Sequence, residues 1–285
     1  MSRHEMVFLR QSFHPNGLSQ PIRRSSRLRM LLSIVVPVRG ETLNLTIMAK
    51  VMGAVLETEH EIIAVYDDAN DPSAPIADEL QRASPNVRGV LNALGPGVAN
   101  AFRAGVEAAR GEYVVTFVAD EIVPILAIDD MRALMDEGCD FVNGTRYGYG
   151  GGRVGGSLAG KILSRLANKT FNVLTSSPLT DCTSGVKMFR RSQFAELTAN
   201  AQEPGWGFAF EMAINAQLLG YRLGEVPAIS VDRMFGGTST FQLVPWVVDY
   251  LKVYALGIRR LPPRPFARKP EVRVRIPGNI AGPHG

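Results

Sequence analysis

From residue 31 onward, continuous apolar runs alternate with amphipathic stretches. Residues 31–38 form a run that is apolar apart from Ser33, with β-branched members ending near Pro37, as expected of a strand buried on both faces of a parallel sheet. Over 44–58, Leu45, Met48, Ala49, Met52 and Leu56 recur near three-and-four spacing, which predicts a helix. A strand over 61–66 stops at Asp67-Asp68, and Asp71-Pro72 breaks the chain before a helix around 76–82. There follow a strand over 87–91, a helix over 97–109 ended by Gly111, and a strand over 113–118 that terminates at Ala119-Asp120-Glu121. A helix over 128–137 and a strand over 141–145 complete this series.

Strands and helices alternating at this spacing predict parallel βαβ units with helices on both faces of one sheet. In such open sheets ligands bind outside the carboxyl ends of the strands. Three of those ends are polar here: Arg39-Gly40-Glu41, Asp67-Asp68 and Asp120-Glu121. Folding does not require that pattern, so these residues are candidates for chemistry.

After Arg146 the texture changes. Six glycines fall between 148 and 156, a flexible loop, and a helix is expected over 158–174 before a polar turn at 176–184. Residues 205–219 begin with glycines and turn helical, 221–226 reads as a strand, and 232–240 is again polar and glycine-rich. A last helix over 243–260 places Pro245 in its first turn. Trp246, Val247, Tyr250, Leu251, Tyr254 and Ile258 can form its apolar face, with Arg259 and Arg260 at its carboxyl end. That face suits a peripheral membrane contact, or docking on the preceding domain or on a second copy in a homo-oligomer.

Composition narrows the class. The chain has 285 residues, 46% hydrophobic and 20% charged, as in an ordinary globular protein. Its charge of +4 is unevenly spread: residues 1–30 carry +5 and 264–285 carry +4, which leaves −5 between them. An acidic body argues against nucleic-acid binding, whereas basic, proline-containing tails suit flexible segments near anionic lipid. The expected organisation is a basic tail over 1–30, a catalytic domain over 31–240, an amphipathic helix over 241–262 and a basic tail over 263–285. No signal-peptide apolar region opens the chain and no run of about 18 apolar residues occurs. Cys139 and Cys182 make no disulfide framework, so a reducing cytoplasm is the expected compartment. Four histidines, two of them near the termini, exclude a histidine-based triad or metal site. There is no Gly-x-Gly-x-x-Gly after the first strand and no Walker A motif.

The polar strand ends suit transfer from a nucleoside diphosphate sugar. Such an enzyme needs a carboxylate for the base and ribose, charge to offset the diphosphate, and an acceptor oxygen placed in line. Asp67 or Asp68 can serve the first need, and Asp120 with a neighbouring ligand the second. Arg146, directly after the 141–145 strand, can meet phosphate oxygens through its fork. Asp181 can act as a general base or as an orienting group. Lys187, Arg190, Arg191 and Arg233 supply positive charge late in the chain.

Over about 32–240 the sequence resembles family 2 glycosyltransferases of the GT-A fold, nearest in pattern to dolichol- and polyprenol-phosphate mannosyltransferases. The resemblance is carried by Ser33-Ile34-Val35-Val36-Pro37, by 61–68 ending in Tyr66-Asp67-Asp68, by 101–115, and by Gly144-Thr145-Arg146-Tyr147. The most specific segments are Thr183-Ser184-Gly185-Val186-Lys187-Met188-Phe189-Arg190-Arg191, then Gly207-Phe208-Ala209-Phe210-Glu211, then Gly220 to Pro227. The resemblance implies a mostly parallel central sheet flanked by helices, and inverting transfer of a hexose to a polyprenyl phosphate. It implies that Pro37, Glu41 and Asp68 contact the nucleotide, that Asp120 holds Mg²⁺ or Mn²⁺, and that Arg146 and Lys187 are phosphate-side groups. It also implies that Arg233 closes over the donor, and that a phosphate acceptor, itself a nucleophile, needs no strong base.

The sequence departs from the family pattern where the metal is expected. Val118-Ala119-Asp120 stands in place of Asp-Ala-Asp, Ile122 stands where a metal-binding Gln is common, and Arg39-Gly40-Glu41 replaces Tyr-Asn-Glu. Glu121 is the residue placed to compensate. A soluble acceptor, or a non-catalytic role in binding a nucleotide sugar or a partner, are the alternatives.

Overall fold

The computed structural model describes residues 32–156, 158–199, 201, 205–231, 243–263 and 270–277. The expected basic segment over 1–30 and Arg233 lie outside the described residues.

The predicted alternation is present. In chain order the first half runs β1 (Leu32–Pro37), α1 (Thr42–Val55), β2 (His60–Tyr66), α2 (Ser73–Ala83), β3 (Val87–Leu91), α3 (Val98–Ala108), β4 (Tyr113–Thr116), a 3-10 turn (Val123–Ala127), α4 (Ile128–Asp136) and β5 (Phe141–Thr145). The second half runs β6 (Gly152–Val154), α5 (Leu158–Leu174), β7 (Lys187–Arg190), α6 (Phe194–Thr198), α7 (Gly207–Leu218), β8 (Leu223–Pro227), β9 (Ile229–Val231), α8 (Leu243–Arg260) and β10 (Val272–Val274).

Eight strands form one sheet in the order β10-β8-β5-β7-β4-β1-β2-β3, and β6 pairs with β9 in a small second sheet. Within the large sheet only β7 runs antiparallel, wedged between β4 and β5. Strand alternation sorts side chains to two cores, because successive residues face opposite sides. Ile34, Val36, Ile62 and Ala64 pack with Leu45 and Met48 of α1 and Met131 of α4. Val35, Ile63 and Val65 pack with Phe102 of α3, Phe208 of α7 and Val253 of α8. With both faces covered, the strands read as continuous apolar runs.

One expectation about the carboxyl-terminal part is corrected, and of the alternatives kept for the last helix its packing matches docking on the preceding domain. The tail expected over 263–285 contains β10, which pairs in parallel with β8 and supplies partners that β8 would lack as an edge strand. Arg275 then fastens β10 to Asp130 and Glu137 at 2.7 and 3.0 Å. The helix over 243–260 forms, but its aromatic face turns inward: the Tyr250 ring stacks on Phe210 at 6.4 Å and Tyr254 leans on Phe171 at 5.4 Å. Of the residues expected to meet lipid, Leu251 and Ile258 stay exposed, and the Trp246 side chain lies outside the described residues. Packing on α7 is the use this face finds within the chain.

Candidate active site

The carboxyl ends of β1, β2, β4 and β5 and the amino end of β7 share one edge of the sheet, because β7 alone runs the other way. The polar strand ends read from the sequence therefore converge there.

At the end of β1, Gly40 adopts φ +69°, a left-handed conformation suited to glycine. Its N–H donates to Asp71 Oδ1 at 3.0 Å, and the Glu41 N–H donates to Ser73 Oγ at 2.8 Å. The Glu41 carboxylate accepts from Asn44 Nδ2 at 2.7 Å. Asp71 also accepts from the Ser73 N–H at 2.7 Å. Burial works to raise the Asp71 carboxyl, but these hydrogen bonds outweigh it and hold the pKa below the ordinary carboxylate value. Asp71 is thus the clasp between the loops after β1 and β2, a role the sequence showed only as an Asp-Pro break.

The adjacent acids at the end of β2 divide their work. Asp67 accepts from Asn92 Nδ2 at 2.7 Å and from the Gly97 N–H at 3.0 Å, so it braces the β3–α3 loop. Asp68 accepts from the backbone and side chain of Asn70 within its own exposed turn. The two together form an acidic lip beside half-buried Pro37.

Beyond β4 the chain turns at Ala119-Asp120. Glu121 Oε1 accepts from Ser230 Oγ of β9 at 2.7 Å. Burial pushes the Glu121 carboxyl up, and the Arg146 charge, the Ser230 hydrogen bond and the Arg153 charge pull it back while Asp120 adds repulsion. Those couplings bring the acidic turn and Arg146 into one electrostatic neighbourhood.

Arg146 is held from several sides. Its Nε and Nη2 donate to Asp181 Oδ2 and Oδ1 at 2.7 and 3.0 Å, its own N–H donates to Oδ2 at 3.1 Å, and Nη2 also reaches Thr183 Oγ1 at 2.9 Å. Its guanidinium lies over the Tyr147 ring at 5.2 Å. Asp181 is fully buried; burial acts to raise its carboxyl, and Arg146 outweighs that and lowers it. With the Arg146 fork across both its oxygens, Asp181 orients Arg146 and is not a free general base. The neighbouring glycines fit this close packing: a Cβ on Gly148 would strike Thr180, and one on Gly151 would strike the Thr145 carbonyl.

Lys187 is a correction. It is fully buried at the start of β7, and its ammonium donates to Asn143 Oδ1 at 2.7 Å and to the Cys182 carbonyl at 3.2 Å, pointing under the site instead of toward a phosphate. Burial lowers its pKa to about 8. Asn143 in turn donates to the Asp181 carbonyl at 2.7 Å and to Glu225 Oε1 at 3.3 Å. Glu225 also accepts from the Thr180 N–H at 2.9 Å and hydroxyl at 3.0 Å, and burial pushes its carboxyl up to about 7. This buried Lys187–Asn143–Glu225 relay fixes the turn that carries Asp181. A polar residue in the middle of each of two apolar strands was the signal for it. Arg190 and Arg191 are placed at the opposite edge by the reversed course of β7, where they meet Glu112 and the Ala109 carbonyl.

Asp120 and Glu121, the latter hydrogen-bonded to Ser230, are the carboxylates of the turn where the sequence placed a divalent cation. Among the described residues no group of three or more His, Cys, Asp or Glu is gathered for one. The donor set still fits a cation whose remaining ligands come from a diphosphate, since adjacent acids of which one resists ionisation would gain from a shared positive charge.

Comparison with known proteins bears on this edge. The family model described as glycosyl transferase family 2 matches residues 33–198. The undecaprenyl-phosphate mannosyltransferase of Micrococcus luteus is 29% identical over 221 residues, 73% of this chain and 86% of that protein. Glycosyltransferase AglD of Haloferax volcanii is 26% identical over 203 residues, 69% of this chain but only 32% of that longer protein. Among solved structures, glucosyl-3-phosphoglycerate synthase from Mycobacterium tuberculosis with Mg²⁺ and UDP aligns at a TM-score of 0.59 and 18% identity, covering 81% of this chain and 79% of that one. The same enzyme with Mn²⁺, UDP-glucose and phosphoglyceric acid also aligns at 0.59, over 82% and 81% of the two chains.

Proposed function

Since the chain belongs to glycosyl transferase family 2 and has the GT-A fold of its structural neighbours, we propose that it transfers a hexosyl group, with inversion, from a nucleoside diphosphate sugar to a polyprenyl phosphate. The observation that carries this reading is one sheet edge holding both an acidic turn, Asp120-Glu121, and a cationic fork, Arg146 on Asp181. A donor diphosphate needs both. The polyprenyl phosphate acceptor is argued from the mannosyltransferase of Micrococcus luteus, whose similarity extends over 86% of its length.

In this reading the acidic lip, chiefly Asp68 with Glu41 and Pro37, receives the base and ribose, while Asp67 keeps the neighbouring loop in place. Asp120, helped by Glu121, would hold a divalent cation, Mg²⁺ or Mn²⁺, which when bound neutralises diphosphate charge. Arg146, close enough to Glu121 to act on its charge, presents positive charge beside the cation, and Arg233, which lies outside the described residues, would close over the donor as the family resemblance implies. An acceptor phosphate oxygen forms the new bond to the anomeric carbon as the bond from that carbon to the diphosphate oxygen breaks. The electron pair leaves with the nucleoside diphosphate. An ionised phosphate oxygen carries no proton to remove, which agrees with the engagement of Asp181 by Arg146. Among the described residues no helix is long and apolar enough to cross a membrane. A polyprenyl phosphate lies in a bilayer, so in this reading the protein meets its acceptor at the cytoplasmic membrane face.

The test is incubation with UDP- and GDP-linked hexoses and a short-chain polyprenyl phosphate, followed by solvent partition. Sugar label should enter the organic phase; label released only to water, with every donor, would refute the acceptor. Calorimetry on Asp68→Ala should show donor affinity weakened about tenfold, the worth of one or two lost hydrogen bonds. Unchanged binding would remove Asp68 from the site.

A further inference from the structure

The sequence offered the last helix as a surface for lipid, for docking or for a second copy, and in the structure the aromatic face of that helix turns inward. A different helix carries the exposed apolar surface. On α5, Leu158, Ile162, Leu166 and Val173 are 72, 59, 54 and 54% exposed. At about 100° per residue these four fall within roughly 80° of the helix circumference. They form a stripe directed away from the fold. Lys161, Arg165 and Lys169 stand among or beside them, and no Asp or Glu occurs anywhere from 155 to 180.

The opposite face of α5 is fully employed. Phe171 packs edge-on against Phe210 at 5.0 Å. Ser164 Oγ accepts from the Tyr147 hydroxyl at 2.8 Å, and Asn168 donates to Thr183 Oγ1 at 2.8 Å and accepts from the Cys182 N–H at 2.9 Å. The inner face of α5 therefore braces the loops that hold Arg146 and Asp181, while its outer face is apolar and purely cationic.

We propose that the outer face of α5 seats this protein on an anionic lipid bilayer, lying in the plane of the headgroups. The helix has 17 residues and carries three cations, so it is built to lie on the surface and not to span it. The apolar stripe enters the acyl boundary and the lysines and arginine reach anionic headgroups. A second copy of the chain is the poorer occupant, because a two-fold contact through this face would set cations against cations. The docking also deepens the proposed function, on which this last step rests: with α5 at the headgroup level, the loops it braces bring Arg146 to the depth at which a lipid-borne phosphate lies.

The experiment is flotation of the full-length protein with vesicles of equal parts phosphatidylglycerol and phosphatidylcholine, and with phosphatidylcholine alone. Wild type should float with the anionic vesicles and remain below with the neutral ones. Ile162→Gln/Leu166→Gln and, separately, Arg165→Glu/Lys169→Glu should each lower flotation about tenfold while keeping the wild-type circular dichroism melt. These positions are exposed, so the folded state tolerates them. The proposal is overturned if wild type fails to float, if neutral vesicles serve equally well, or if either variant floats like wild type. Concentration-dependent self-association abolished by the Gln variant would assign the face to a second copy instead. Transfer to a short-chain acceptor without vesicles is read separately on wild type. Its absence would refute the acceptor and leave the flotation result standing.

Discussion

Asp181 and Glu225 are both buried carboxylates that share the Asn143 side chain as a neighbour, yet their surroundings drive them in opposite directions. Asp181 faces a guanidinium fork and stays ionised; Glu225 accepts hydrogen bonds only from neutral donors and is pushed up to about 7. That contrast yields a pH prediction whose sign is fixed by linkage. A carboxyl whose folded pKa lies above its ordinary value of 4.5 favours the folded state while it is protonated. This contribution is complete below 4.5 and is lost as the pH rises through about 7. Glu225→Gln keeps an acceptor for the Thr180 N–H and Asn143 and donates to the Thr180 hydroxyl, so it retains the relay without the titration. Urea unfolding at pH 5 and pH 7.5 should therefore show a smaller fall in stability for the variant than for wild type. Identical slopes would mean that Glu225 does not titrate in this window.

At the scale of elements, α3 is the piece whose sequence and packing agree most closely. Gly105 sits on its inner face, where an added Cβ would drive into Val35 of β1 and come within 3.0 Å of Val65 Cγ2 of β2. Gly105→Ala should destabilise the fold by about 1–3 kcal/mol, because both neighbours are β-branched strand residues with little freedom to yield. Chemical denaturation gives the value, and a neutral or stabilised variant would show that α3 can shift off the sheet. The glycine in Ala101-Phe102-Arg103-Ala104-Gly105 was visible in the sequence, but its reason was not until the helix met the strands. The same limit explains other differences. Parallel strands were legible because burial on both faces leaves a continuous apolar run. Lys187 to Arg190 gave no such run: the segment is half cationic, and its strand character comes from being wedged between β4 and β5. The three-residue strands β6, β9 and β10 are too short for any period to show. The aromatic stripe of α8 was read correctly as apolar, but periodicity cannot say whether such a face meets lipid or Phe210. The acidic strand ends and Arg146 were legible because they interrupt apolar runs at the carboxyl edge; the relay beneath them depends on side chains from three separated segments.

The whole molecule poses an electrostatic question. In the proposed reaction an anionic donor and an anionic acceptor meet on a body that carries −5 between residues 31 and 263. The positive charge that makes this possible has to be local. In that reading Arg146 would provide one part, from a position fixed by Asp181, Thr183 and the Tyr147 ring. A divalent cation at Asp120 and Glu121 would provide the other. Two adjacent carboxylates, of which Glu121 resists ionisation, make a poor cation site by themselves. Diphosphate oxygens would complete the coordination and supply the charge that the missing acid at Val118 cannot. Cation and nucleotide binding should therefore be strongly coupled, and linkage requires the coupling to be reciprocal. Titration of Mn²⁺ followed by the free-ion paramagnetic signal should give weak binding alone, and binding about tenfold tighter or more with UDP or GDP present. Calorimetry should show the nucleotide tightened by the same factor when Mn²⁺ is added. Asp120→Asn should abolish the coupling, and the circular dichroism melt of the apoprotein, read alongside, separates loss of a cation ligand from loss of the turn. Saturation by Mn²⁺ to the same affinity without nucleotide would contradict the shared site. Full turnover in excess chelator would place the entire burden of diphosphate charge on arginine.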